Sequence, residues 1–126
     1  MALSATQKQH YQTMGFVAGL PAFSAQETAD LRSGIETLEA SYAGGAGGHS
    51  LNQQFRVNGH LVIPLLSEIA RTPAILDLVS DILGPNLLVW SVELFIKEPH
   101  STSVVSWHLD LTYWGMGETE EELTAW

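Results

Sequence analysis

LLVWSVELFIK, Leu87 to Lys97, is the longest stretch of this chain that reads as extended structure. Alternate residues of a strand face opposite sides. Leu88, Trp90, Val92, Leu94 and Ile96 would form one wholly apolar face, and Val89, Ser91, Glu93, Phe95 and Lys97 a mixed one. The first face is expected to pack on helices and the second to line a partly polar space. Val104 to His108 is a second strand candidate and Glu122 to Trp126 a third.

Helices are expected upstream of these strands. Ser4 with Gln7 and Ser24 with Glu27 are capping boxes, in which two side chains satisfy the free amides of a helix start. Gly15 is placed to end the first helix. Ser24 to Tyr42 is expected as the second, with Leu31, Ile35, Leu38 and Tyr42 in one apolar stripe. Phe16 to Leu20 between them reads as a short strand or extended segment, and Ala43 to Ser50 (AGGAGGHS) as a loop. That loop is a surface linker or a lid; no Gly-Lys-Ser/Thr follows it, so it is not a phosphate loop. His60 to Ala70 is apolar and interrupted by Pro64, which suggests a short helix with an irregular start. Thr72-Pro73 should open a further helix with Ile75, Val79, Ile82 and Leu83 buried, stopped by Gly84-Pro85. Helices first and strands after imply an α+β fold, with helices covering one side of a sheet.

The chain has 126 residues, 45% of them hydrophobic and 15% charged, which suits a single globular domain. Its net charge of −9, with five Lys and Arg, disfavours nucleic acid and anionic membranes as partners. The absence of cysteine excludes disulfides and thiolate metal sites. No signal-peptide pattern and no run near the roughly 20 apolar residues of a membrane helix is present, so a cytoplasmic protein is expected.

SWHLDLTYW, Ser106 to Trp114, carries the chemistry. If Val104 to Asp110 is extended, His108 and Asp110 project from one face, with apolar Val105, Trp107 and Leu109 on the other. Imidazole and carboxylate together suit Fe(II), Mn(II) or Zn(II), and form two corners of a two-histidine, one-carboxylate facial triad. A surface pair or a helix N-cap remains the bland alternative.

The stretch as a whole, with FIKEP before it and LTAW after it, resembles the phytanoyl-CoA dioxygenase family of Fe(II)- and 2-oxoglutarate-dependent oxygenases. The family's form is close to WHxDxxYW, matched here by Trp107, His108, Asp110, Tyr113 and Trp114. ILGP, Ile82 to Pro85, and YQTMGFV, Tyr11 to Val17, fit as well, so the likeness spans essentially the whole chain. It implies a double-stranded β-helix (jelly-roll, cupin-like) core, incomplete in this chain, with the N-terminal helices packed on it. It implies His108 and Asp110 as iron ligands, Lys97 and Trp126 beside 2-oxoglutarate, and Tyr113 and Trp114 at the substrate mouth. Lys97 equally suits a snorkelling strand-end lysine, and the three aromatics suit an ordinary core. Leu109 departs from the Gln often found between the ligands, which bears on hydrogen bonds around the site and not on metal binding itself. Asp110 favours hydroxylation, because halogenating relatives carry a small residue there.

The distal histidine and the 2-oxoglutarate arginine of the family are not found. His10, His49, His60 and His100 all precede the motif, as do Arg56 and Arg71. The whole of 1–126 is therefore expected to be the N-terminal portion of an oxygenase domain, inactive alone and open to self-association through unpaired strand edges. Its partners would be dioxygen and a small organic or acyl substrate. The competing readings are a non-catalytic metal-binding or assembly module and a zinc hydrolase or isomerase using the same His-Asp pair.

Overall fold

A computed structural model describes residues 2–42, 49–119 and 121–126. Among the described residues six α-helices run in chain order: α1 (Ala5–Met14), α2 (Ala25–Tyr42), α3 (Leu51–Phe55), α4 (Pro64–Ala70), α5 (Pro73–Leu83) and α6 (Leu111–Trp114). A 3₁₀ turn, Gly59–Leu61, precedes α4.

The helix starts follow local chemistry. The Ser4 hydroxyl accepts from the Gln7 amide while the Gln7 side chain accepts from the Ser4 amide, and Gly15 closes α1 in the left-handed region at φ 77°. Ser24 and Glu27 make the same exchange at the head of α2. Ser50 and Gln53 repeat it at α3, a helix that the sequence reading passed over although its signature is the same. Pro64 and Pro73 sit in the first turns of α4 and α5, where a missing N–H is harmless. The expected loop at 43–48 lies outside the described residues.

The core is small. Leu51, Ile63 and Leu66 are buried together, and Ile35, Leu38 and Tyr42 of α2 pack against them with Phe55, Leu65, Ile69 and Leu94. Three of the four residues of the expected α2 stripe thus face this cluster. In α5 only Leu78 is buried, so the expected face of Ile75, Val79, Ile82 and Leu83 is half-covered. The first segment is tied to α5 by Asp81, which accepts from the Leu3 amide and from Lys8 Nζ, each at 2.6 Å. Those bonds, the Lys8 side chain's first, hold the Asp81 carboxyl below the usual aspartate range.

The α+β expectation is overturned. No sheet forms among the described residues, and no double-stranded β-helix is present. The three strand candidates carry one isolated antiparallel bridge between them, Glu93 with Val57. Around it the Asn58 amide donates to Val92 O at 3.0 Å and the Leu94 amide donates to Arg56 O at 2.8 Å. Asn58, at φ 61°, turns the chain into the 3₁₀ helix and ends this pairing. Phe16 to Leu20 likewise forms no strand.

The physical reason is that a strand needs a partner for its backbone and a cover for its apolar face. Leu94 finds that cover on the core, but Leu88 is 86% exposed and Trp90 is exposed too. Val105, Trp107 and Leu109, expected at the back of a strand, all point into solvent. Lys97, expected on the face lining a partly polar space, is exposed.

Candidate metal centre

His108 and Asp110 meet by a different route from strand alternation. Residues 104–109 have no regular structure, and Asp110 already has helical dihedrals at the head of α6 (φ −57°, ψ −45°). The turn brings His108 Nε2 to 3.1 Å from Asp110 Oδ1, with both side chains 31% exposed. The Asp110 side chain makes no capping hydrogen bond to α6, so the N-cap alternative does not describe it.

The proton on the imidazole follows from its other contact. His108 Nδ1 lies 2.8 Å from the Ser106 carbonyl oxygen. A carbonyl only accepts, so Nδ1 carries the hydrogen, and Nε2 is the nitrogen left to bind a ligand. In the neutral ring the Nε2 lone pair then faces a carboxylate oxygen that also only accepts. Two acceptors at that distance repel unless a proton or a cation stands between them. Two atoms each about 2.1 Å from one ion and at right angles around it lie about 3.0 Å apart, so the pair fits a transition-metal ion as two adjacent ligands. Among the described residues no third His, Asp or Glu converges on the pair.

Thr124 completes the immediate surroundings. Its hydroxyl donates to Asp110 Oδ2 at 2.8 Å, leaving Oδ1 for His108 or an ion. The sequence reading missed it, since a contact between residues 14 apart through irregular chain has no periodic signal. Tyr113 stands edge-on to His108, ring centroids 5.8 Å apart, and is largely exposed. Trp114, one residue on, is half-buried.

The other two expected contacts lie further along. Trp126 is 92% exposed and rests on Phe95, ring centroids 5.9 Å apart. Lys97 has no hydrogen bond or ion pair among the described residues and is not brought to the His108–Asp110 pair by any observed contact. Arg56, set aside by its place before the motif, lies over the Phe95 ring at 5.2 Å.

A helical domain with a histidine–carboxylate pair at its surface is what geometry alone defines. The family model described as phytanoyl-CoA dioxygenase (PhyH) matches residues 11–126, and the chain belongs to that family. A curated relative, the probable alpha-ketoglutarate-dependent hypophosphite dioxygenase of Stutzerimonas stutzeri, is 25% identical over 122 residues, covering 87% of this chain and 42% of the relative. The chain thus spans less than half the length of that relative. No solved structure matches the chain. No helix among the described residues is long and apolar enough to cross a membrane.

Proposed function

We propose that this chain supplies two of the three iron ligands, His108 and Asp110, of an Fe(II)- and 2-oxoglutarate-dependent dioxygenase that hydroxylates a small organic or acyl substrate. The observation that carries the reading is the 3.1 Å approach of His108 Nε2 to Asp110 Oδ1, with Nδ1 committed to the Ser106 carbonyl. Membership of the dioxygenase family and the alpha-ketoglutarate dependence in the relative's name support the choice of cofactor and cosubstrate. The distal histidine and the arginine for 2-oxoglutarate would come from residues other than these 126.

Iron loaded with 2-oxoglutarate and dioxygen supplies the oxidation of a C–H bond. The chain's own residues do the rest. The Ser106 carbonyl fixes the imidazole tautomer, so that Nε2 is always the ligating atom. Thr124 holds one carboxylate oxygen of Asp110 and orients the other. Tyr113, edge-on to the imidazole, is proposed to face the substrate. Lys97 and Trp126 are proposed to face the cosubstrate, the first through its charge and the second through its ring.

The test is metal binding by the chain as it stands. Mn(II) added in small amounts should broaden the NMR signals of His108 and Tyr113 first, and His108→Ala should abolish that selectivity. Broadening spread over the 14 acidic side chains, or unchanged in His108→Ala, would overturn the assignment.

A further inference from the structure

Five cations serve 14 carboxylates in this chain. Lys8 is paired with Asp81 and Arg32 with Glu36. Arg56, Arg71 and Lys97 make no side-chain hydrogen bond or ion pair among the described residues, and of these Arg56 has its guanidinium over an aromatic ring, that of Phe95. The Arg56 backbone is not loose. The Arg56 carbonyl accepts from Leu94, and Val57 and Asn58 continue the pairing to Glu93 and Val92. Arg56 and Phe95 are thus set against each other by the one stretch of paired backbone in the described chain.

A guanidinium over an aromatic face is held by the ring while its N–H donors stay available at its edge, as a planar fork that matches two oxygens of one anion. Phe95 also carries Trp126, and Trp126 is two residues, at most about 7 Å of chain, beyond the Thr124 that holds Asp110. Lys97, likewise without an ion-pair partner, is two residues from Phe95. The ring pair therefore links Arg56 by contact to the chain segment that holds Asp110, with Lys97 two residues along from Phe95. A surface of net charge −9 repels anions in general, so an anion held here must be held by these local donors.

We propose that Arg56, stacked on Phe95, is a specificity-determining residue that grips an oxyanion, a carboxylate or a phosphorus oxyanion, of the substrate. The assignment to substrate rests on the His108–Asp110 reading above; the anion site itself does not. 2-Oxoglutarate carries the same chemistry, so the experiment separates the two sources.

The full chain is titrated with inorganic phosphate and, separately, with 2-oxoglutarate, at constant ionic strength, following the Arg56 Nε–H signal in wild type and the chain's overall shifts in the variants. Phosphate should move that signal, Arg56→Gln should weaken phosphate binding at least tenfold, and Arg56→Lys should fall between, keeping the charge but not the fork. The Arg56 side chain is exposed, so both variants should keep the wild-type urea midpoint. His108→Ala should bind phosphate as wild type does, whatever becomes of its metal. Equal phosphate affinity in wild type and Arg56→Gln would overturn the proposal. So would binding of 2-oxoglutarate but not phosphate at Arg56, which would move the residue to the cosubstrate. Loss of Mn(II) selectivity with phosphate binding intact would sink the metal reading and leave the anion site standing.

Discussion

Replacing Leu66 by alanine should remove a large share of this chain's stability, and replacing Leu88 should remove almost none. Leu66 is 2% exposed and sits between Leu51 and Ile63, with side chains of α2 around them. The change deletes three carbon atoms, worth about 2.4 kcal/mol at about 0.8 kcal/mol per buried methylene. The unfilled cavity adds to this and brings the expected loss to about 3–4 kcal/mol, inside the range of roughly 2–5 for buried leucines. Few described side chains are fully buried, so the total is expected near the lower end of about 5–15 kcal/mol. With a urea slope of about 2 kcal/mol per molar, the midpoint should fall by roughly 1.5–2 M. Leu88 lies in the unpaired stretch before Glu93 and is 86% exposed, so its truncation should stay within about 0.5 kcal/mol. Urea unfolding followed by circular dichroism at 222 nm measures both. A Leu88→Ala loss as large as that of Leu66→Ala would refute the reasoning, because it would mean that the extended stretch is covered in solution.

Acid should loosen the N-terminal segment before the rest. The lowered Asp81 carboxyl gives a contribution fully present above its ordinary value of about 3.9 and lost as pH falls through the lower folded value. Protection of α1 amides, taken relative to their intrinsic exchange rates, should therefore fall only below about pH 4, and Asp81→Asn should remove that dependence; a fall at pH 5 or above contradicts it. Gly59→Ala should cost about 1–3 kcal/mol, since an added Cβ would lie 2.9 Å from Leu66 Cδ1 and 3.1 Å from Phe55 Cβ in a filled core, and an unchanged urea midpoint would show that the core can yield. Thr124→Val should weaken Mn(II) binding at His108 by about tenfold, because Asp110 loses the hydroxyl that orients it; equal broadening in the variant would remove Thr124 from the site.

The starts of α1 and α2 were legible, and that of α3 could have been, because each is decided within four residues. Ser4, Ser24 and Ser50 satisfy their own helices whatever surrounds them. The inward stripe of α2 was legible for a similar reason, since helical spacing alone puts Ile35, Leu38 and Tyr42 on one side. The strands were misread because alternation in Leu87 to Lys97 states only which residues would share a face. It says nothing of whether another backbone lies alongside, and here only residues 92–94 find one.

The candidate site divides in the same way. His108 and Asp110 alone were a weak signal; the family was legible from the whole SWHLDLTYW stretch together with FIKEP, LTAW, ILGP and YQTMGFV. That the two side chains meet depends on where an extended run gives way to α6, and dihedrals at Asp110 decide it. Thr124 beside Asp110 and Arg56 over Phe95 are brought in from 14 and 39 residues away. Covalent neighbours set caps and periodic faces because the chain itself fixes their distance. Contacts between distant segments arise only when turns and packing choose among many approaches of similar local energy, and those were the contacts that tertiary structure alone decided.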